Sequence, residues 1–312
     1  MSAKLSLSFN HLQHFLAIAD QGSLRAAAES LGLSQPAVSK SLRALEASLG
    51  VPLINRDARG SSLTQYGKVL YARAKLIGNE VDRVTQEVRE MAGIGRGKVT
   101  LGASAIPSLL LVPEAVARFR ERFPEINIDF IGGMPSVLLP RLQDGSLDFV
   151  VGPKPGGPMA GSFHTTPLFK VPACLVVRKG HPLAKAKSLK DFVGAEWVLS
   201  SSAAQAESTL HASFAACKLP PANVVVRVES LLAAYSFVAT TPYVGLLPYY
   251  SRNESLFLRN ISYVEVPELV VIESYELFTR EGAQPSAAAG KLIAHIKEQV
   301  KRMKRQAELQ LA

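Results

Sequence analysis

Gln35, Ser39, Lys40 and Arg43 put an amide, a hydroxyl and two cations close together in the chain. On a helix they lie away from Val38, Leu42, Leu45 and Leu49, which repeat at helical spacing and form an apolar stripe. Amides pair with adenine, cations reach guanine edges and phosphates, and hydroxyls serve either, so the exposed set suits the major groove of a DNA duplex. Ser34 caps this helix by accepting a bond from an orphan N–H, and Pro36 in the first turn forfeits no needed hydrogen bond. Before it, Leu24, Ala27, Ala28 and Leu31 share one face of a shorter helix that starts after Ser23. Gly32 permits the tight turn between the two, since glycine takes positive φ at little cost. The expected unit is a DNA-reading helix-turn-helix with candidate contacts at Ser23, Ser34, Gln35, Pro36, Ser39, Lys40 and Arg43.

The elements around it extend the same chemistry. From Val51 to Thr64 two short apolar runs flank a polar turn, which reads as a hairpin wing. Its Arg56 and Arg59 are placed to reach the DNA backbone or a minor groove, the alternative for each being a solvated loop residue. Thr64 can cap the next helix, and no proline follows from Tyr66 to Ala92. Leu70, Ala74, Ile77, Val81, Val84, Val88 and Met91 alternate steps of four and three, a heptad seam with charged residues on the other faces. The expected partner is the same helix of a second subunit, with packing inside one chain as the alternative. Pairing would relate two recognition helices by a dyad, so the target is expected to be double-stranded DNA with an inverted-repeat site. The run Gly93 to Lys98 only superficially resembles a phosphate loop: Val99 stands where Ser or Thr is needed, and a helix precedes it where the motif needs a strand. It reads as a hinge.

Beyond the hinge, strands and helices alternate. Val99–Ala103, Ile126–Ile131 and Phe149–Gly152 read as buried strands with helices near Ser108–Arg122 and Ser136–Gln143, the pattern of a parallel open sheet. A second set has strands at Ala173–Arg178, Trp197–Leu199, Val224–Val228 and Tyr243–Leu247 and helices at Gln205–Cys217 and Ser230–Thr240. A strand at Val270–Thr279 and a closing helix at Ala287–Gln306, with Leu292, Ile296, Val300 and Met303 inward, complete the chain. Ligands of such sheets sit at the carboxyl ends of the strands. The loops there hold Ser104, Ala105 and Ile106, then Gly132 to Ser136, Lys154, and Ser200, Ser201 and Ser202. Helix starts among them favour an anion, so a carboxylate or similar acidic group is the expected anchor of the ligand. The alternative for the serines is simple helix capping. Ile106, Phe163, Phe169 and Tyr249 are candidates for an apolar wall.

Residues Phe15 to Leu63 resemble the amino-terminal domain of the LysR-type transcriptional regulators. The family pattern F-x-x-x-A, S-x-x-x-A-A-x-x-L, S-Q-P-A-x-S, L-E-x-x-L-G-x-x-L-x-x-R and L-T-x-x-G appears as Phe15 and Ala19; Ser23, Ala27, Ala28 and Leu31; Ser34 to Ser39; Leu45-Glu46, Leu49-Gly50, Leu53 and Arg56; and Leu63-Thr64 with Gly67. A looser likeness continues through Gly145-Ser146-Leu147-Asp148 and Gly245-Leu246-Leu247-Pro248. The resemblance implies an α/β chain with an N-terminal all-α winged helix-turn-helix at 1–65, a coiled-coil linker helix at 66–93, a hinge at 94–97 and an effector-binding domain at 98–312. That domain would be two-lobed and periplasmic-binding-protein-like, lobe I being 98–169 plus 272–312 and lobe II 170–271, with crossings near Pro167–Pro172 and Val270–Ser274. By motif order, Ser104, Ser136 and Ser200 to Ser202 match effector-contacting positions. It further implies a cytoplasmic homodimer or homotetramer, controlled by a small-molecule effector, with RNA polymerase as a possible partner.

Composition sets independent bounds. The net charge of +9 favours a polyanionic partner, though charge alone does not require nucleic acid. The amino terminus has no signal-peptide core and no run is long enough to span a bilayer, so neither membrane nor export is expected. Cys174 and Cys217 are far apart in the sequence and read as buried thiols, while His11 and His14 have no third ligand nearby, so no metal is expected. No nucleophile-and-base motif is present, so no enzyme and no cofactor are expected. An architectural DNA binder without effector and a solute-binding receptor are the alternatives.

Overall fold

The computed structural model describes residues 7–57, 60–92, 97–154, 163–200, 204–249, 259–269 and 271–310. Arg59, Ser201, Ser202 and most of the expected hinge lie outside them. The chain forms two compact units, 1–97 with 143–146 and 98–142 with 147–312.

In the first unit α1 (Phe9–Gln21), α2 (Leu24–Leu31) and α3 (Gln35–Leu49) precede a hairpin of β1 (Ile54–Asp57) and β2 (Gly60–Leu63), then α4 (Gln65–Met91). Leu12, Phe15, Ile18, Ala27, Val38, Leu42, Leu45 and Leu53 form its buried core, each apolar stripe of the sequence turned inward. Ser23 accepts a bond from the Ala26 N–H at 3.0 Å and caps α2. Ser34 caps α3 more loosely, accepting from the Ala37 N–H at 3.4 Å. Gly32 ends α2 at φ +65°, a left-handed conformation that lets its N–H bond back to the helix and the chain turn into α3.

The wing is fastened at its base. Glu46 Oε1 accepts the Leu53 and Ile54 N–H groups at 2.8 and 3.3 Å, and Ser61 N–H donates to the Gly22 carbonyl at 2.8 Å. Thr64 Oγ1 donates to the Pro52 carbonyl at 2.8 Å and accepts from the Gly67 N–H at 3.0 Å, capping α4 as its position suggests. Gly67 presses so closely on this turn that a Cβ there would stand 2.1 Å from the Leu53 carbonyl oxygen.

The second unit is built on one mixed sheet. Its strands are β3 (Lys98–Ala103), β4 (Asn127–Gly132), β5 (Phe149–Pro153), β6 (Phe163–Arg178), β7 (Glu196–Ser200), β8 (Asn223–Val228), β9 (Val244–Pro248), β10 (Ile261–Val264) and β11 (Val271–Arg280), in the order β4-β3-β5-β11-β6-β9-β7-β8 with β10 beside β6. Parallel pairing is confined to the two ends, β4-β3-β5 and β9-β7-β8, so the expected parallel sheets are halves of a larger mixed one. They are joined by an antiparallel ribbon in which β6 pairs with β11 from Phe163↔Arg280 to Ala173↔Val271. The register skips Leu168 between Pro167↔Glu276 and Phe169↔Tyr275, a bulge next to a residue that has no N–H to give the ladder.

Helices cover both faces. On the first lobe α6 (Val112–Arg122) and α10 (Ala287–Gln310) bury Phe119, Leu292, Ile296 and Val300 against β3 and β5, and α7 (Pro135–Gln143) buries Leu138, Leu139 and Leu142 on the other face. On the second, α8 (Ala204–Ala216) packs Leu210 and Phe214 around Trp197, while α9 (Leu231–Thr240) covers the opposite face with Ala234, Tyr235 and Val238. The single helix expected at 108–122 is two, α5 (Ala105–Leu110) and α6, broken at Leu111 ahead of Pro113, which starts the second helix in its first turn.

Replacing Gly67 with alanine is expected to destabilise the first unit by about 1–3 kcal/mol, because the new methyl group has only a backbone oxygen to displace. Thermal unfolding of the chain checks this, and an unchanged midpoint would contradict the close approach.

Candidate functional site

One site is the outer face of α3. Val38, Leu42 and Leu45 are wholly buried, which fixes the rotation of the helix and leaves Gln35, Pro36, Lys40 and Arg43 exposed and Ser39 half-buried along its other side. Ser34 is exposed at its start and Ser23 half-buried at the start of α2. Both serines therefore cap helices as well as standing at the edge of this face. Arg56 lies on β1, and its backbone pairs with Ser61. Beneath the face, Ser41 is buried and its hydroxyl is 2.8 Å from His14 Nδ1, tying α3 to α1. Burial, with His11 nearby, holds the His14 imidazole below the usual histidine range, so His14 is a packing residue.

The seam expected on α4 divides in two. Ala74 is buried and Leu70 half-buried against the core of the first unit, so these two serve packing within the chain, because the first turns of α4 lie against the helix-turn-helix core. Ile77, Val81, Val84, Val88 and Met91 stay exposed, from 41% at Val81 to 89% at Met91. Apolar residues at this spacing form a continuous uncovered stripe.

The other site is a cavity of about 410 Å³ in the second unit, lined from both lobes. Ser104, Ala105 and Ile106 reach it from the end of β3, Met134 and Pro135 from the start of α7, Ser200 from β7, Glu229 to Leu232 from the start of α9, Leu247 and Pro248 from β9, and Glu273 and Tyr275 from β11. Of the residues expected to contact a ligand, Ser104, Ala105, Ile106 and Ser200 are brought together. Ser136 is exposed in the first turn of α7 and Lys154 is exposed after β5, where its N–H donates to the Ser274 carbonyl at 3.1 Å, and neither lines the cavity.

Capping does not account for Ser104. Its Oγ makes no helix-cap bond and, among the described residues, is a buried hydroxyl oxygen with no hydrogen-bond partner, while its carbonyl accepts the Ser108 hydroxyl at 2.7 Å. Ser230 does cap α9, accepting from the Ala233 N–H at 3.4 Å.

The apolar wall is narrower than expected. Ile106 lines the cavity, Phe169 stacks on Tyr275 with ring centroids 5.1 Å apart, Phe163 belongs to the core under α7, and Tyr249 sits edge-on to Tyr263 in a separate groove. Tyr275 and Glu273 are residues the sequence did not single out. The Tyr275 hydroxyl donates to Glu273 Oε2 at 2.8 Å, and burial pushes the Glu273 carboxyl above the usual carboxylate range and the Tyr275 phenol well above its own. Both fall in the strand expected at Val270–Thr279, which reads as plain sheet.

Among the described residues no group of three or more His, Cys, Asp or Glu could hold a metal ion, and no helix is long and apolar enough to cross a membrane. Cys174 and Cys217 are free and half-buried, less covered than the thiols expected from sequence. Burial and Glu265 raise the Cys174 thiol above the usual cysteine range, which favours its protonated form.

A family profile for the LysR substrate binding domain matches residues 92–301, and one for the bacterial regulatory helix-turn-helix protein, lysR family, matches residues 9–68. The HTH-type transcriptional regulator GbpR of Azospirillum brasilense is 31% identical over 239 residues, which cover 76% of this chain and 70% of that protein. TdcA of Escherichia coli, also an HTH-type transcriptional regulator, is 27% identical over 248 residues, 80% of this chain and 79% of its own. Among solved structures, CbnR, a LysR family transcriptional regulator, superposes with a TM-score of 0.67 at 17% identity, covering 94% of this chain and 99% of that one. Full-length CbnR complexed with its target DNA gives 0.68 at 19% identity, over 94% and 100%. At these identities the structural likeness speaks to the fold.

Ionised Glu273 costs folding stability in the empty protein. With its folded pKa raised above the unfolded one, stability is fullest at low pH and is lost as pH rises through the folded value. Glu273→Gln is therefore expected to raise the unfolding midpoint of the ligand-free chain at pH 7.5, with the gain shrinking at pH 5; an equal gain at both would contradict the assignment.

Proposed function

Because the chain belongs to the LysR family of bacterial transcriptional regulators, which bind DNA and carry an effector-binding domain, we propose that the exposed face of α3 reads its operator and that a small molecule in the inter-lobe cavity sets its activity. The family is one of regulators, not enzymes. The observation that carries the reading is the wholly buried Val38, Leu42 and Leu45 stripe, which leaves Gln35, Lys40 and Arg43 free on the opposite side of a helix capped for insertion. Gln35 and Ser39 would contact base edges, Lys40 and Arg43 phosphates or guanine, and Ser23, Ser34 and Pro36 the backbone beside them. Arg56 and Arg59 of the wing would add contacts outside the major groove.

The exposed stripe from Ile77 to Met91 is proposed to pair two chains. A dimer of this kind presents two copies of α3 about a dyad and calls for an inverted-repeat site. Further association to a tetramer, work in the cytoplasm and contact with RNA polymerase belong to the same proposal. The likeness to CbnR in complex with its target DNA supports the DNA-binding half of it.

The effector is proposed to be a small organic molecule. An acid group on it would be met by main-chain N–H groups where α9 begins at the cavity, since among the described residues no cationic side chain lines it. Closure of the lobes on the ligand would change the DNA complex only by the difference between its affinities for the open and closed arrangements, typically ~1–3 kcal/mol. An architectural binder would leave the cavity without a purpose, and nothing in the family comparisons favours that reading over an effector.

Gln35→Ala is expected to reduce discrimination between operator and random duplex by about 1–3 kcal/mol, with little loss of non-specific affinity. Arg56→Ala is expected to weaken all duplexes alike and to lower the salt slope of binding by about one. Titrations of labelled operator and random duplex at several salt concentrations check both, and unchanged discrimination in Gln35→Ala would remove that residue from base readout.

A further inference from the structure

The inter-lobe cavity has an unusual balance of charge. Two carboxylates line it, Glu273 from β11 and Glu229 at the start of α9, and among the described lining residues there is no lysine, arginine or histidine. The remaining polar groups are hydroxyls, at Ser104, Ser108, Ser200, Ser230 and Tyr275. Glu273 is half-buried and, among the described residues, accepts from the Tyr275 hydroxyl at 2.8 Å, although an ionised carboxylate can accept about four hydrogen bonds. A carboxylate in that position either takes up a proton or waits for a cation. The Ser104 oxygen, buried beside the same cavity, is likewise without a partner among the described residues.

We infer that the cavity selects a ligand bearing an ammonium nitrogen, which is held by Glu273 with Glu229 and bonds the hydroxyls around them. This rests on the proposed role of the cavity as the effector site and narrows the effector's class. An ammonium offers three donors and a full charge, so it satisfies Glu273 and stays within reach of neighbouring hydroxyls in one geometry. Main-chain N–H groups in the first turn of α9, at Leu231 and Leu232, leave room for a carboxylate on the same molecule, so a free amino acid fits the cavity. A polyamine would satisfy only the acidic half. Molecules whose only ionic group is an acid would leave Glu273 unmatched and add a like charge next to it.

Isothermal titration calorimetry of the full-length protein tests this with the twenty L-amino acids, putrescine and spermidine, and the 2-hydroxy and 2-oxo acids that match each amino acid. At least one amine-bearing ligand is expected to bind, and its counterpart with oxygen in place of nitrogen about tenfold or more weakly. Binding by an amino acid but by neither polyamine identifies the first source, and the reverse the second. Glu273→Gln, and separately Glu229→Gln, are expected to weaken the amine ligand about tenfold or more without weakening the oxygen counterpart, which loses a like charge beside it; unfolding curves confirm that both variants fold. The inference is overturned if no amine in the panel binds, if the oxygen counterpart binds as tightly, or if Glu273→Gln binds the amine like the parent. Binding by a nitrogen-free metabolite that is abolished by Ser104→Trp would overturn the ammonium assignment and keep the cavity as the effector site. Unaltered binding of such a metabolite in Ser104→Trp would remove the cavity from that role as well.

Discussion

The burial of Val38, Leu42 and Leu45 is the constraint on which the reading head depends. Each side chain gains about 1.5–3 kcal/mol on leaving water, whereas a surface ion pair such as Arg25 with Glu29 gains at most ~1 kcal/mol. The apolar stripe therefore sets the rotation of α3, and the polar face is simply what remains outside. Rolling the helix by one residue would expose these apolar side chains and draw Lys40 toward the core, where an unpaired charge is far more costly than either gain. Glu46 extends this order to the wing by holding the Leu53 and Ile54 N–H groups, so the hairpin that bears Arg56 starts from a position fixed by α3 itself.

A comparable constraint organises the effector-binding domain. The antiparallel ribbon of β6 and β11 is common to both halves of the sheet and carries the bulge at Leu168, so the lobes are joined through backbone pairing and not through a free linker. Glu273 and Tyr275 sit on that ribbon and line the cavity. A ligand that bonds them engages the element that both lobes share, which gives a physical route by which its binding energy could favour one lobe arrangement over another. Stacking of Tyr275 on Phe169 holds the two strands of the ribbon together at this point.

Features that depend on local periodicity were legible in the sequence. The helix-turn-helix, its cap at Ser34, the turn at Gly32 and the inward face of α10 all follow from spacing and residue type, and the helix-turn-helix followed by an α/β domain is the architecture found. Features that depend on long-range pairing were not. The strand expected at Ala173–Arg178 is the end of a longer one, since a bulge absorbs Pro167 and β6 runs for 16 residues from Phe163. β10 has no signal of its own beyond a short apolar run, and it exists because β6 offers it an edge. Leu70 and Ala74 share the heptad spacing of Ile77 to Met91, and only the neighbouring helices decide that they pack at home. Glu273 was hidden because a strand read from residue type alone gives no hint that one of its polar positions faces a cavity.

Selection of bound sites from a pool of random duplex DNA by the full-length protein tests the central claim most directly, since it asks whether α3, presented twice about a dyad, reads sequence. The account predicts enrichment of an inverted repeat whose half-sites lie a whole number of helical turns apart, at multiples of about 10–10.5 base pairs centre to centre. Recovery of no sequence above the random pool, or of a single asymmetric motif with no dyad, would contradict it.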